Sequence, residues 1–287
     1  MPQLQVKKIT ELNDERINSF LEAHYETAMF LLSNMSEHGV SLGMHPNSGN
    51  FFSIDKGRDI EAVFCLTRRG NILLQTLSNT YSQQLSQLVI GSCRKENVKI
   101  RGILGAWNTS SAMWQDLRKE NLVEKENYLS KEILYSKHQN FYDPSTKEFI
   151  RILKEDDFAS WSVMRKAFME EAGMNNSLSD EEFKQDLLSL AAAQRFVGLF
   201  DKNDLIGTAG LNAKIKSIGQ VGSVYIKPFY RKRGLAKTMM LAMEKTMMNL
   251  HDIDKFILFT SEDNIAAQSL YESISYQKIG HYGIILA

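Results

Sequence analysis

The sequence predicts an α/β (α+β) fold built as two domains of one kind in tandem. The chain has 287 residues, which suits two mid-sized domains. Near its middle, the stretch SKHQNFYDPSTK from Ser136 to Lys147 interrupts the hydrophobic periodicity with polar residues and a proline. Both sides of this stretch carry the same order of predicted helices and strands, although their residues differ. We therefore expect one domain over residues 1–142 and a second over residues 143–287.

In the first half, apolar residues recur at helical spacing before they follow the pattern of short strands. Asp14 to Ser36 has the spacing of one or two helices and is followed by a Gly/Pro/Asn loop from His38 to Asn50. The remaining elements are predicted in chain order as strands at Phe51–Ile54, Ile60–Thr67 and Asn71–Thr76, a helix at Asn79–Glu96, a strand at Val98–Leu104 and a helix at Ser110–Leu122.

The second half repeats this order. It is predicted to contain a strand at Glu148–Lys154, helices at Asp157–Ala172 and Ser179–Gln194, strands at Phe196–Phe200, Ile206–Lys214 and Gln220–Ile226, a helix at Gly234–Leu250, a strand at Lys255–Thr260, a helix at Asn264–Ser275 and a strand at Tyr276–Leu286. Pro228 stops the strand before the long helix, because proline cannot donate to a sheet ladder.

The charge balance excludes a global attraction to nucleic acid or to an anionic membrane, because 34 Lys and Arg residues balance 34 Asp and Glu residues. A small-molecule partner is therefore expected. The charged segment from Met1 to Glu15 lacks the apolar block of a secretory signal, and no apolar run approaches the ~20 residues of a membrane helix. These features predict a soluble, cytoplasmic protein without a membrane partner.

The two cysteines, Cys65 and Cys93, are far apart in the sequence and form no CxxC motif. Neither has the spaced histidines of a metal site, so no metal is expected. Buried free thiols in a reducing cytosol are favoured over a redox pair.

A basic turn between a strand and a helix is the most informative segment. The strand ends at Ile226 and Pro228, and the turn runs on through Arg231, Lys232, Arg233, Gly234, Leu235, Ala236 and Lys237. A helix start leaves backbone N–H groups without partners, and the positive end of the helix dipole adds to their attraction for an anion. Gly234 lets the backbone approach a phosphate closely. The segment therefore predicts a diphosphate site, whereas a lone RxxGxA string would indicate only an exposed basic helix start.

A second element follows about 30 residues later. Asn264 is a good N-cap, and Tyr271 lies seven residues further on, two helical turns along the same face. Ala266 and Ala267 keep the helix start slim, so that a ligand can lie alongside it. Taken alone, Asn264 would be an ordinary cap and Tyr271 a core aromatic.

Together the two elements resemble the GNAT superfamily of acyl-CoA-dependent N-acyltransferases. Its phosphate loop, Q/R-x-x-G-x-G/A after a V-x-V/I-x-P strand, is similar to Arg231-x-x-Gly234-x-Ala236 after Val224-x-Ile226-x-Pro228. Its later helix, N-x-x-A-x-x-L-Y, is similar to the segment from Asn264 to Tyr271. The resemblance covers about residues 147–287 and implies GNAT-like domains, each with a mixed, mostly antiparallel central sheet flanked by helices.

The resemblance also implies roles for particular residues. Main-chain groups of Val224, Tyr225 and Ile226 would bind the pantetheine arm of acetyl-CoA or another acyl-CoA. The basic turn from Arg231 to Lys237 would cradle the diphosphate, and Asn264 would hold the pantetheine. Tyr271 would donate a proton to the departing CoA thiolate, while a backbone N–H near Ile226 steadies the oxyanion during direct transfer to an amine.

The general base is left open by the resemblance. Some members of the family carry glutamate at the positions of Phe259 and Gln220, and neither of these side chains accepts a proton. Candidates that remain are Glu170, Glu171 and His281, each of which also fits a solvated surface position, and a water relay to bulk solvent.

The first half lacks both motifs, so we interpret residues 1–142 as a degenerate GNAT-like domain that shapes the acceptor pocket or packs against its partner. Asn108 can cap a helix, but the residue seven positions later is Gln115 rather than tyrosine. Trp107 and Trp114 are candidates to line a pocket, with core packing as the plainer interpretation. This tandem layout is similar to glycine N-acyltransferase-like proteins and bacterial predicted acetyltransferases.

The sequence thus predicts an N-acetyltransferase that acts on the primary amine of a small molecule, with residues 143–287 as the catalytic domain. A non-catalytic acyl-CoA-binding regulatory module and a protein or peptide N-acetyltransferase are alternatives. The amine, the acyl length and the oligomeric state, including a homodimer, stay open.

Overall fold

The computed structural model describes residues 3–139, 149–174 and 179–287. The chain divides into two compact units, one comprising Met1–Ile133 with Gly280–Ala287 and the other Leu134–Ile279. The predicted boundary between residues 142 and 143, most of the polar stretch around it, and residues 175–178 between the two predicted helices lie outside the described residues. Within the described residues, no helix combines the length and the apolarity needed to cross a membrane.

The first unit contains a meander of strands and four helices among its described residues. Its elements are β1 (Leu4–Lys8), α1 (Glu15–Ala23), α2 (Tyr25–His38), β2 (Gly49–Lys56), β3 (Asp59–Thr67), β4 (Asn71–Thr76), α3 (Gln83–Cys93), β5 (Gly102–Ala106) and α4 (Trp107–Lys119), with the start of β6 (Tyr128–His138) and the end of β12 (Gln277–Leu286). Strands β1 to β4 pair antiparallel in sequence order, β4 pairs parallel with β5, and β5 pairs antiparallel with β12.

Helix α1 shows how the local sequence sets an element of this unit. The Asp14 carboxylate accepts hydrogen bonds from the backbone N–H of Arg16 (2.9 Å) and Ile17 (3.3 Å) and so caps the helix. Ile17 and Leu21, one turn apart, are both buried. One core of the unit joins one face of the strands to helices α3 and α4, and it includes Phe64, Ile103 and Trp114.

The second unit has the same succession of elements. They are β7 (Phe149–Ile152), α5 (Phe158–Glu171), α6 (Asp180–Ala192), β8 (Phe196–Asp201), β9 (Asp204–Ile215), β10 (Ile218–Ile226), α7 (Leu235–His251), β11 (Lys255–Ser261) and α8 (Ile265–Ser273), with 3₁₀ turns at Glu155–Asp157 and Pro228–Tyr230. Strands β7 to β10 pair antiparallel in order, β10 pairs parallel with β11, and β6 follows β11.

Helix α7 covers one face of this sheet with methionines. Met239, Met240, Met243 and Met247 are fully buried and recur at the spacing of one helical face. The charged residue Glu244 lies on the same buried face at 5% exposure. A buried carboxylate among methionines is unusual enough to require a partner.

The predicted α/β (α+β) class with mixed, mostly antiparallel sheets is confirmed. Two strands, β1 and β6, were not predicted. Strand β6 is buried along most of its length, so it lacks the alternation that marks a half-exposed strand. The region predicted as one or two helices between Asp14 and Ser36 forms two, because His24 ends α1 and precedes α2. The first half's last predicted strand, Val98–Leu104, is β5 at Gly102–Ala106.

Candidate functional site

The neighbouring strands β10 and β11 separate before they end. Their parallel pairing covers only Ile218–Gln220 opposite Lys255–Ile257, although both strands continue well beyond these residues. On its other side, β10 remains paired with β9 as far as Ile226. The second half of β10 therefore presents a sheet edge toward the side from which β11 has diverged, and such an edge can bind an extended ligand as an added strand.

An irregularity in β10 produces this divergence. The register with β9 shifts between Gln220 and Val221 and again between Gly222 and Tyr225, and Ser223 has a left-handed φ of 55°. At Gly222, a Cβ atom would lie 1.8 Å from the Asn212 Nδ2 atom, so the Asn212 side chain lies in the space that a larger residue at this position would need. The bulge is supported by a hydrogen bond from the Thr208 hydroxyl to the Ser223 carbonyl (3.3 Å).

Backbone direction decides which main-chain groups of β10 are available. The Lys227 N–H donates to the Ile206 carbonyl (2.9 Å) on the side of β9. The main-chain N–H groups of successive strand residues point to opposite sides of the strand. The N–H groups of Ile226 and Val224 therefore point away from β9, and the N–H group of Tyr225 points toward it. Of the three predicted contact residues, Val224 and Ile226 therefore have main-chain groups facing the open edge.

The basic turn after β10 has the backbone of an anion-binding loop. Lys232 and Gly234 have left-handed φ angles of 62° and 78°, and helix α7 begins directly afterwards at Leu235. By helix geometry, the N–H groups of Leu235 and Ala236 have no intrahelical acceptor. A Cβ atom built at Gly234 would meet no other atom within 4 Å, so the space in front of this glycine is open. Consecutive N–H groups in such a turn form a concave site for an anion.

The four cations of this turn differ in their surroundings. The Arg231 side chain donates from Nε to the Ile226 carbonyl (2.8 Å) and from both Nη atoms to the Glu171 carboxylate (2.7 Å each). Glu171 raises the pKa of the Arg231 guanidinium above its ordinary value. The Arg233 guanidinium lies over the Phe229 ring, 5.2 Å from its centroid, and Lys237 Nζ contacts the Ser273 carbonyl (3.3 Å). Lys232 is exposed, so its ammonium group can approach a ligand from solvent.

Helix α8 follows β11 and begins with a side-chain cap. Asn264 accepts a hydrogen bond at Oδ1 from the backbone N–H of Ala267 (3.0 Å). Its Oδ1 atom is therefore used by the helix, which leaves the Nδ2 group as the donor for a ligand. Two turns further on, Tyr271 is buried to 6% exposure, with its ring 6.0 Å from the ring of Tyr135 and 5.9 Å from that of Tyr276.

The candidate bases fall in different surroundings. Glu171 is held by Arg231 at both carboxylate oxygens, while Glu170 is exposed at the end of α5. His281 is exposed and belongs to the first unit. Gln220, buried at 1% exposure, donates from Nε2 to the Val221 carbonyl (2.6 Å).

Sequence reasoning missed three residues of the second unit that pack next to Tyr271, either directly or through Tyr276. They are the buried pair Lys137 and Glu244, joined at 2.5 Å, and the buried Tyr276. The available signal was Glu244 itself, because it follows Met240 by four residues and precedes Met247 by three on an otherwise apolar helix face.

In the first unit, the segment after β4 corresponds to the basic turn of the second unit, and polar side chains of the first unit itself occupy it. After β4, a 3₁₀ turn at Leu77–Asn79 leads to α3. Gln75, buried at 1% exposure, bonds the Thr76 carbonyl (2.8 Å) and Asn79 (2.9 Å), and accepts a hydrogen bond from Thr27 (2.6 Å). The Thr76 and Thr109 hydroxyls meet at 3.4 Å and so join the end of β4 to α4.

The two tryptophans of this unit pack in its core. Trp114 is buried and donates from Nε1 to Glu126 (3.1 Å), and Trp107 packs partly buried against the same cluster. Across the parts of the chain that the structure describes, no group of side chains has the composition of a metal site.

Comparison with known proteins agrees with this geometry. Residues 148–276 match the model of the Acetyltransferase (GNAT) family. Among curated proteins, none matches the chain significantly. This part of the chain is therefore a GNAT acetyltransferase domain. The match confirms the predicted family, the predicted enzyme class and the acyl-CoA cosubstrate on which that class depends.

Solved structures share the fold over nearly the whole chain. A Drosophila protein is 14% identical with a TM-score of 0.69, covering 98% of each chain. A GCN5-related N-acetyltransferase from Sphaerobacter thermophilus is 13% identical with a TM-score of 0.62, covering 98% of this chain and 94% of the other. A tandem GNAT protein from the clavulanic acid biosynthesis pathway is 8% identical with a TM-score of 0.55, covering 99% and 98%. The predicted fold of two tandem GNAT-like domains is thereby confirmed.

Proposed function

We propose that the protein transfers an acetyl group, or another acyl group, from acyl-CoA directly to the primary amine of a small molecule. The observation that carries this proposal is the divergence of β10 from β11 beside the basic turn at the start of α7. In this proposal residues 143–287 form the catalytic domain, and residues 1–142 form a degenerate domain without acyl-CoA.

The residues present fit an acyl-CoA in charge and in shape. The N–H groups at the start of α7, with Lys232, Arg233 and Lys237, would hold the diphosphate, and Gly234 leaves room for it. The main-chain groups of Val224 and Ile226 and the Nδ2 group of Asn264 would bind the amide-rich pantetheine. When bound, acyl-CoA supplies the thioester that is cleaved. We assign Arg231 to fixing the turn through Ile226 and Glu171, so that its contribution to binding is indirect.

The chemistry follows from two groups of the chain and from water. The Ile226 N–H would donate a hydrogen bond to the carbonyl oxygen as negative charge develops there. The amine nitrogen forms a bond to the acyl carbon while the carbon–sulfur bond breaks. Tyr271 would give its proton to the sulfur, the amine would lose one proton to water, and the tyrosinate would then regain a proton from water. A relay through water is favoured over Glu171, because Arg231 occupies both carboxylate oxygens of that residue.

The acceptor and the cellular setting belong to the same proposal. Overall neutrality argues against a polyanionic partner and favours a small amine. Cys65 and Cys93 are free and buried, and burial raises the pKa of Cys93 to about 12, so both thiols are suited to a reducing cytoplasm. A homodimer is compatible with this assignment and can be checked by light scattering.

The test is release of CoA thiol from acetyl-CoA across a panel of small primary amines and lysine-containing peptides. We expect saturable, amine-dependent release with at least one small amine. Release with peptides alone would replace the small-molecule acceptor by a protein acceptor. Tight binding of acetyl-CoA without release for any amine would favour the second candidate, a non-catalytic acyl-CoA-binding module, for which the engaged Glu171 carboxylate is the supporting observation.

A further inference from the structure

A buried ion pair lies within the second unit. Lys137 Nζ donates to the Glu244 carboxylate at 2.5 Å, and the two side chains are only 6% and 7% exposed. Removing two charges from water costs several kcal/mol per ion, and apolar replacements of such pairs are often neutral or stabilising. Stability alone is therefore a poor reason for a charged pair at this position among buried methionines.

The pair lies directly against Tyr276. Lys137 Nζ is 5.4 Å from the centroid of the Tyr276 ring. The Tyr276 hydroxyl and the Glu244 Oε1 atom are both buried, and neither has a partner in hydrogen-bonding geometry among the described residues. Burial raises the pKa of Tyr276 well above its ordinary value, and the Glu244 carboxylate raises it further. The hydroxyl of Tyr276 is thus kept neutral and close to a carboxylate that can accept its hydrogen bond.

Tyr276 connects this pair to the proposed acid. Its ring packs against Tyr271 at 5.9 Å between centroids, with 60° between the planes. On the other side, Tyr271 packs against Tyr135 at 6.0 Å, and the Tyr135 hydroxyl donates to Glu272 (2.9 Å). Glu272 is paired in turn with Lys278 (3.0 Å), which also lies over the Tyr135 ring.

Tyr271 therefore stands between two aromatic rings, each of which is next to a charge-balanced pair. Lys137 with Glu244 forms the buried pair, and Glu272 with Lys278 forms the exposed one. Buried charges act over longer distances than exposed ones, because water screens them less. Water therefore screens the buried pair less than the exposed pair.

We propose that Glu244, held by Lys137, is a positioning residue for Tyr271 that acts through the hydroxyl and ring of Tyr276. This inference rests on the proposed function, since it needs Tyr271 as the acid. The pair holds Tyr276 in one orientation against Tyr271. Because the two charges cancel, the pair adds no net charge beside Tyr276, and removal of either partner would leave the other charge unbalanced.

The experiment is the pH profile of kcat for Glu244→Gln, Lys137→Gln and the double variant, each with and without Tyr271→Phe. Glu244→Gln leaves a buried ammonium near Tyr271, which favours tyrosinate, so the alkaline limb should move to lower pH by about one unit or more. The double variant restores neutrality and should return the limb close to that of the parent protein. In the Tyr271→Phe background, Glu244→Gln should not shift the alkaline limb of the pH profile of kcat.

Two outcomes would overturn the proposal. The first is an unchanged alkaline limb in a folded Glu244→Gln protein, since a purely structural pair would alter kcat equally at every pH. If Glu244→Gln does not fold, Tyr276→Phe serves instead, because it keeps the ring and removes the hydroxyl. This variant should lower kcat by about threefold or more, with the KM for acetyl-CoA unchanged. A folded Tyr276→Phe protein with normal kcat is the second overturning outcome.

A matched control is Tyr282→Phe, which removes a buried tyrosine hydroxyl in the first unit and should leave kcat unchanged. Failure of the underlying function is distinguishable from failure of this inference. If Tyr271→Phe turns over at the parent rate, the acid assignment fails. If Tyr271→Phe is slow and the Glu244→Gln profile matches that of the parent, only the positioning role fails.

Discussion

Arg231 and Glu171 form a two-pronged ion pair, with Nη1 to Oε1 and Nη2 to Oε2 both at 2.7 Å. The third donor of the same guanidinium, Nε, binds the Ile226 carbonyl at 2.8 Å. One side chain thus joins the end of α5, the end of β10 and the start of the basic turn. A planar guanidinium makes these bonds from three separate nitrogens in a fixed geometry, whereas an ammonium group directs all its donors from a single nitrogen.

We expect Arg231 and Lys232 to differ when each is replaced by alanine. Arg231→Ala removes three bonds that hold the turn and should lower both the melting temperature and the affinity for acetyl-CoA. Lys232→Ala should weaken acetyl-CoA binding alone, and the weakening should shrink at high salt because the ammonium group is exposed. Thermal unfolding and calorimetry at two salt concentrations measure this difference. Equal melting temperatures for the two variants would contradict it.

Asn264 can be tested by separating its two functions. Asn264→Asp retains an oxygen that caps α8 and places a negative charge at the helix N-terminus, so stability should be maintained or raised. The same change removes the Nδ2 donor and should weaken acetyl-CoA binding by about tenfold. Asn264→Ala loses both functions and should cost about 1 kcal/mol in stability as well. Unchanged affinity in Asn264→Asp would reduce Asn264 to a cap.

Tyr271 should contribute to turnover rather than to cofactor affinity. Tyr271→Phe keeps the ring between Tyr135 and Tyr276 and removes the proton that we assign to the thiolate. General acid catalysis contributes about 10²–10⁴-fold, so kcat should fall by at least about 10²-fold with little change in the dissociation constant of acetyl-CoA. Stopped-assay kinetics and calorimetry on the same preparation decide this. Full turnover in the folded variant would remove Tyr271 from the mechanism.

The stability of the second unit should depend on pH through Asp157. The Arg151 guanidinium holds the pKa of the Asp157 carboxyl below its ordinary value, with both Nη atoms at 2.7 Å and the Lys154 N–H at 2.8 Å. The unfolded chain binds protons near pH ~3.9, above the folded pKa, so this stabilisation is complete above that pH and is lost as the pH falls through the folded pKa.

Asp157→Asn should therefore lower the stability of the protein by about 1–2 kcal/mol at pH 7. The difference from the parent should narrow as the pH falls below about 3.9 and through the lower pKa of the folded protein, where the parent's carboxyl becomes protonated. Urea unfolding at pH 7 and in the acid range measures it. Asp156→Asn is the matched control, because Asp156 is the exposed neighbour. A difference that is independent of pH would contradict the assignment.

Much of the fold was predictable because its signals are local. The capped helix at Asp14, the strand ended by Pro228 and the turn glycine at Gly234 each follow from the chemistry of one or two residues. Strand β6 was missed because it is buried on both faces and carries no alternation. The pairing of the end of β12 with β5 could not be predicted either, because the register between strands far apart in the sequence leaves no local pattern.

The candidate site divides in the same way. Gapped motifs located the turn and the Asn264 helix, because the spacing of a helix is fixed. The contacts of Arg231 with Glu171, 60 positions apart, were not foreseeable from spacing. Nor was the approach of Lys137 to Glu244, 107 positions apart, although a glutamate on a methionine-lined helix face already indicated a buried partner.

Calorimetric titration of acetyl-CoA into the protein, beside Gly234→Glu, tests the central claim most directly. The claim predicts saturable binding at one site per chain and its loss in Gly234→Glu, because the new side chain would fill the open space before the loop and repel a diphosphate. Gly39→Glu, at another glycine with positive φ and open space, controls for strain and charge and should bind normally. Absence of saturable binding, or equal binding by Gly234→Glu and the parent protein, would contradict the claim.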